Sequence, residues 1–145
     1  MAGTVISDRI EAATGSQLVL ENGVALTPPT ISDVNNVEIG RFCRAWVNFN
    51  GTLAAASMVR DSFNVSSITD GGVGIYTINF INAMPDANYV MVGGGGSTTP
   101  SPFPIAINNT AAPTTSACRL IQWYMTGTTN QAPADGTWNH VSFFS

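Results

Sequence analysis

From Phe42 onward apolar and polar residues alternate with a period of two, and that rhythm is the strongest constraint on what this chain folds into. Over Phe42–Asn50, Cys43, Ala45, Val47 and Phe49 fall on one face of a strand. Phe42, Arg44, Trp46 and Asn48 fall on the other. The rhythm returns over Gly74–Ile81, where Tyr76, Ile78 and Phe80 oppose Thr77 and Asn79. Asn88–Gly93 sets Tyr89 and Met91 against Val90 and Val92. Ala117–Thr126 sets Cys118, Leu120 and Tyr124 against Arg119, Ile121, Trp123 and Met125. Thr137–Phe144 is the last strand, and its Phe143-Phe144 pair ties that end into the fold.

Weaker patterns predict a strand over Met58–Val65, with Val59, Phe63 and Val65 on one side, and a short strand over Phe103–Asn108. The latter belongs at an edge, because Pro104 has no amide for a ladder. Asn50-Gly51-Thr52, Asp70-Gly71-Gly72 and Met84-Pro85-Asp86 supply turns. Gly93–Pro104, Asn109–Ser116 and Gly127–Gly136 have loop composition. No window shows helical periodicity, and the run Ala54-Ala55-Ala56 gives way at once to β-type alternation. Short strands with regularly spaced turn signals predict an all-β antiparallel sandwich, jelly-roll-like, over residues 41–145.

Residues 1–40 behave differently and predict an extended arm. Gln17–Leu20 and Val24–Thr27 flank Glu21-Asn22-Gly23, and Asn-Gly between apolar runs favours a hairpin turn. Pro28-Pro29 then stops any ladder. Ile31–Ile39 is sparsely apolar and contains the turn signal Asn35-Asn36. Such a segment lacks the large apolar residues for its own core. It must pack on the domain, on a neighbouring subunit or on a larger assembly. Val5, Ile6, Leu18, Val19, Leu20 and Ile31 are the expected assembly contacts.

Charge narrows the partners. Charged residues make up 10% of the chain, against about 25% in ordinary domains, which suits a surface largely buried in an assembly. There is no lysine, the five arginines are scattered, and the net charge is −4. Nucleic acid is therefore not an expected partner, because phosphate binding needs clustered positive charge. An anionic membrane is disfavoured for the same reason, and no apolar run approaches the roughly 20 residues of a span. Met1–Ile10 lacks an apolar core of signal-peptide length, so synthesis in a cytoplasm is expected. Cys43 and Cys118 lie in predicted strands and are expected as buried thiols, a bridge between facing strands being the alternative.

No residue pattern points to catalysis, a cofactor or a metal. His140 is the only histidine, and no Gly-x-Ser-x-Gly elbow accompanies it. Cys43, Cys118 and His140 lack the paired spacing of zinc motifs. Asp70-Gly71-Gly72 has no second nearby carboxylate for calcium. Asp33, Asp70, Asp86 and Asp135 lie close to Asn, Gly or Pro, as turn and cap residues do, rather than as a glycosidase pair. Gly93–Gly96 lacks the lysine and following helix of a phosphate loop. Asn64-Val65-Ser66 matches a glycosylation acceptor without a secretion signal. Trp46, Trp123 and Trp138 lie on predicted strands. Packing in a core or subunit interface is their expected use, and a sugar-binding platform is the alternative.

Four blocks also carry a likeness: CRAWVNFNGT (Cys43–Thr52), FNVSSITD (Phe63–Asp70), YTINF (Tyr76–Phe80) and AMPDANYVM (Ala83–Met91). Together with LENG (Leu20–Gly23) and PPTI (Pro28–Ile31), they resemble a module of bacteriophage tail fibres and tailspikes. The resemblance covers Leu20–Gly93, with several separated blocks in order, and the last third of the chain departs from it. Such modules sit at the distal end of long trimeric fibres, yet no fibre shaft accompanies this one. A free-standing copy is similar to the trimeric capsid cement, or decoration, proteins of short-tailed cyanophages. The resemblance implies a homotrimeric virion structural protein that binds the major capsid protein, is assembled in the host cytoplasm and lies on the capsid surface. It implies no enzyme activity and no cofactor. The alternative it implies is a receptor-binding tip or tail-fibre module that recognises host surface polysaccharide.

Overall fold

The computed structural model describes residues 30–32, 35, 37–98, 103–125 and 131–145. The chain begins there with a small antiparallel ladder between β1 (Thr30–Ser32) and β2 (Glu38–Arg41). There follow β3 (Cys43–Phe49), one helical turn α1 (Ala55–Met58), β4 (Val59–Phe63), β5 (Val65–Asp70), β6 (Ile75–Phe80) and β7 (Val90–Gly96). Then come β8 (Ile105–Ile107), β9 (Ala117–Met125), β10 (Gln131–Pro133) and β11 (Trp138–Phe144). Two antiparallel sheets pack face to face, an all-β sandwich. One has four strands in the order β4-β3-β11-β7; the other has the path β10-β9-β6-β5, with β8 also on β9.

The period-two alternation builds the core. Ala45, Val47 and Phe49 point inward from β3, and Val141 and Phe143 from β11. Tyr76, Ile78 and Phe80 meet them from β6, with Cys118 and Leu120 from β9. Aromatic edge-to-face contacts cross between the sheets: Phe49–Tyr76 at 5.0 Å and Phe80–Phe143 at 5.1 Å between ring centres. Each such contact is worth about 0.5–1.5 kcal/mol beyond its buried area. Within the four-stranded sheet β11 occupies the middle, hydrogen-bonded to β3 on one side and β7 on the other.

On the other sheet, β6 and β10 lie end to end along one edge of β9. The Gln122 amide donates to the Gly74 carbonyl at 2.7 Å, while the Gln122 carbonyl accepts from the Ala134 amide at 3.3 Å. β8 holds the opposite edge of β9. A bridge between Gly95 and Phe103 joins β7 to the chain entering β8, so the sheets meet at that corner.

The expected strand over Met58–Val65 is instead two strands in different sheets. Asn64 has φ +56° and turns the chain from β4 into β5. Its side-chain amide donates to the carbonyls of Arg44 at 3.0 Å and Asn82 at 3.1 Å, and its oxygen accepts from the Asn82 amide at 2.7 Å. Asn tolerates the left-handed region better than other residues with a side chain. Val59, Phe63 and Val65 therefore do not share a side: Val65 is buried, and Val59 and Phe63 are exposed. Met58 belongs to α1 rather than to a strand and is fully buried.

Two expected loops also contain strand. Gln131–Pro133 pairs with Trp123–Met125 as β10. Gly93–Gly96 continues β7, and its inward positions Gly93 and Gly95 have no room for side chains. A Cβ at Gly95 would meet the Asn139 Oδ1 at 2.6 Å, and one at Gly93 the His140 carbonyl at 2.8 Å. The Asn139 oxygen belongs to a closed polar ring between the sheets. Gln122 Nε2 donates to it at 2.7 Å, Asn139 Nδ2 donates to the Gly136 carbonyl at 2.9 Å, and the Gly136 amide donates to Gln122 Oε1 at 2.9 Å. Both side chains are fully buried, so each depends on the others for hydrogen bonds.

Both cysteines are free thiols: Cys118 is buried and Cys43 half-buried. Burial pushes the Cys118 thiol pKa up, with a hydrogen bond to Tyr89 opposing it. Of the expected arm contacts, Val5, Ile6, Leu18, Val19 and Leu20 lie outside the described residues. Ile31 lies in β1, opposite Gly40.

Candidate functional site

Register decides what the four-stranded sheet presents outward. Pairing aligns Phe63, Trp46, Ser142 and Val92 in one row across β4, β3, β11 and β7. Asp61, Asn48, His140 and Gly94 form the next row. The intervening Val47 and Val141 are buried in the core, so both rows face out. Phe144 opposite Val90 and Trp138 opposite Gly96 extend the surface. Phe63, Val90 and Val92 are 54%, 61% and 59% exposed, and Trp138 is 46% exposed. Single exposed apolar residues are ordinary, but neighbouring ones on adjacent strands mark an interaction surface. Fully burying one such side chain is worth about 1.5–3 kcal/mol.

The apolar surface continues past the start of β3. Phe42 and Phe63 line one depression of about 310 Å³ together with Asn64 and Asn82. Ile81 lies beside it, its amide donating to the Asn64 carbonyl at 3.2 Å, and is exposed. The arm joins the domain here, since Thr30 pairs with Arg41, the residue before Phe42.

A second depression, of about 350 Å³, lies in the middle of the face and gathers Trp46, Asn48, Asp61, His140 and Ser142. It contains a serine, a histidine and an aspartate, but not in contact. β4 and β11 both pair with β3, so Asn48 stands between Asp61 and His140. Two strand spacings put their backbones roughly 9–10 Å apart, whereas a base and its partners sit at hydrogen-bond distance. Among the described residues no hydrogen bond joins Ser142, His140 and Asp61; Asp61 Oδ1 accepts from the Ser62 amide at 2.8 Å. No group of three or more metal-ligating side chains is found among the described residues.

The described turn aspartates are engaged locally. Asp70 accepts from the Gly72 amide at 2.9 Å, and Asp86 from the Asn88 amide at 2.6 Å. Asp135 reaches further, accepting from the Gly74 amide at 2.7 Å and the Tyr76 hydroxyl at 2.6 Å. Burial, then this hydrogen bond and the Asp135 charge, raise the Tyr76 phenol pKa well above its ordinary value. Burial likewise raises that of Tyr89, whose hydroxyl donates to the carbonyls of Thr114 and Ala117 at 3.1 Å. Arg60 spans three strands' ends, donating to Asn48 Oδ1 at 3.3 Å, the Phe49 carbonyl at 3.2 Å and the Thr137 carbonyl at 2.7 Å.

The tryptophans do not form a row. Trp46 and Trp138 lie on the outer face of the four-stranded sheet, and Trp123 on that of the other. Sequence reasoning sought assembly contacts in the arm and missed this face. A signal was present: Asn88–Gly93 is apolar on both parities, Tyr89 and Met91 against Val90 and Val92, as a strand covered on both sides would be. Comparison with protein families, with curated proteins and with solved structures gives no match.

Proposed function

We propose that this chain is a bacteriophage virion structural protein, a capsid cement or decoration protein that trimerises and reinforces the outer capsid surface. The observation that carries this reading is the apolar face centred on Phe63, Trp46 and Val92, which the sandwich does not need for its own core. Two features agree with it. The β1–β2 ladder adjoins that face through Arg41 and Phe42, which suits an arm used for contact with a neighbour. The low charge reduces the desolvation cost of burying a broad surface. The resemblance of four ordered sequence blocks to tail-fibre and tailspike modules supplies the viral setting. Cement acts by bridging adjacent capsomers, adding buried area across joints that internal pressure opens. In this reading the chain's chemistry is contact, and its partners are two further copies and the major capsid protein.

The test is deletion of residues 2–38. The shortened chain is expected to keep a cooperative thermal transition and its β-sheet circular dichroism, while losing the trimer and capsid occupancy. Unchanged capsid occupancy would sink the proposal. Copy number in purified particles is the second readout: cement follows the capsid lattice, whereas a receptor-binding tip follows the few fibres.

A further inference from the structure

Asn50-Gly51, at the end of β3, is the one Asn-Gly pair among the described residues, and packing dictates both members. Gly51 is buried, and a Cβ there would run into the Tyr76 hydroxyl. Asn50 is half-buried, and its Oδ1 accepts from the Thr52 amide at 3.0 Å and the Thr52 hydroxyl at 2.8 Å. Such a pair is chemically labile. Asn deamidates when the next backbone nitrogen attacks its side-chain carbonyl carbon, and a following glycine has no side chain to hinder that attack. Here that nitrogen is engaged: the Gly51 amide donates to the Gly136 carbonyl at 2.9 Å. Gly136 in turn belongs to the polar ring between the sheets, its amide donating to Gln122 Oε1 at 2.9 Å and its carbonyl also accepting from Asn139 Nδ2 at 2.9 Å.

We propose that Asn50-Gly51 is a latent modification site whose electrophile is prepared and whose nucleophile is withheld until the sheets part at Gly136. The bonds from Thr52 polarise the Asn50 side-chain carbonyl. The bond to Gly136 retains the proton that must leave before the Gly51 nitrogen attacks, and it anchors that nitrogen. Once the ring opens, the Gly51 nitrogen bonds to Asn50 Cγ, the Cγ–Nδ2 bond breaks, and ammonia departs with the proton. Water then opens the cyclic imide at either carbonyl, leaving aspartate or isoaspartate. Isoaspartate inserts an extra main-chain carbon before Gly51, and the slot beside Tyr76 has no space to absorb the shift. A chain converted in that way does not reclose this corner, so the step is one-way. The glycine amides of Asp70-Gly71 and Asp135-Gly136 are held likewise, by the Ile75 carbonyl at 2.8 Å and by Gln122 Oε1. Their carboxylates are poorer electrophiles than an amide, so Asn50 converts first. The inference concerns a single chain and does not rest on the assembly reading.

The test is incubation of the full chain in heavy-oxygen water, in buffer and in increasing urea, followed by peptide mapping with mass spectrometry. Heavy oxygen enters Asn50 only as the imide hydrolyses. In the unfolded chain Asn50 is expected to convert freely, and in the folded chain at least about a hundredfold more slowly, a factor set by the rarity of opening. The rate should climb with urea below the unfolding midpoint. Gln122→Leu, which removes the group holding the Gly136 amide, should raise the folded-state rate roughly tenfold or more. Should that variant lose the fold, the urea dependence of the parent chain still decides the matter. Conversion of folded Asn50 at close to the unfolded rate, a rate indifferent to urea, or a folded Gln122→Leu chain that converts no faster than the parent would overturn the inference.

Discussion

The outward positions of β3, β4 and β7 carry Trp46, Phe63, Val90 and Val92, whereas those of β5 and β6 carry Ser67, Thr69, Thr77 and Asn79. Both sets stand on sheets whose inner faces serve one core. The polar set is satisfied within itself, since Asn79 Nδ2 donates to Ser67 Oγ at 3.1 Å and Thr69 Oγ1 at 3.0 Å. Among the described residues the apolar set has no such internal use. Folding requires only the inner faces, so the outer apolar row is left to be explained by contact. Even the five-stranded face divides, with its apolar patch confined to the Trp123 end.

The sharpest way to break the comparison is to charge one face at a time. Phe63→Asp with Val92→Asp is expected to weaken self-association by roughly a hundredfold or more, about 3 kcal/mol. On the proposed reading, sedimentation should then show monomer in place of trimer. Ser67→Asp with Thr69→Asp on the other sheet should leave the trimer intact, and each pair should change unfolding free energy only modestly. If both pairs dissociate the trimer equally, the two faces are not distinct.

Gln122→Leu attacks what holds the sheets together rather than either face. It leaves the buried Asn139 oxygen and Gly136 amide without their partner, at a cost of about 2–4 kcal/mol in urea unfolding. Asn64→Ala is smaller, about 1–3 kcal/mol, from the left-handed backbone and the lost side-chain bonds. Hydrogen exchange should rise first in β4, beside the pivot, and least in β9. Asn64→Gly, which keeps the backbone at ease, should lose less.

The smallest effect at neutral pH comes from the buried phenols. The folded state holds Tyr76 and Tyr89 protonated, while the unfolded chain releases such protons near pH 10. Their contribution is fully present below about pH 10 and is lost as pH rises above it. Thermal melts should be insensitive to these groups between pH 7 and about 9, then fall. Tyr76→Phe should flatten part of that decline.

Much of the fold was legible in the alternation of Cys43–Phe49, Ile75–Phe80, Ala117–Met125 and Trp138–Phe144, because each strand buries one parity. What escaped depended on partners distant in sequence. Phe63 and Val65 continue an alternation through Asn64, so periodicity alone does not show that the strand changes sheets there. Glycines at 93–96 have loop composition until Gln122 and Asn139 are seen to occupy the space beside Gly95. Gln122 itself sits at inward parity between Leu120 and Tyr124, where a polar residue signals a buried partner. The candidate face was hidden for a related reason: outward apolar residues become a surface only when register sets Phe63, Trp46 and Val92 in one row.

The central place of β11 has a consequence for how the molecule is made. Val47 waits for Val141, so the sheet that bears the apolar row lacks its middle until residues 138–144 have been synthesised. Contacts so distant in sequence form late and slowly. During translation β3 and β7 have no shared neighbour, and Trp46 and Val92 cannot stand in one row. Nascent chains on neighbouring ribosomes therefore do not present a competent surface to one another. On the proposed reading, association is deferred to chains translated through β11, a checkpoint built from strand order alone.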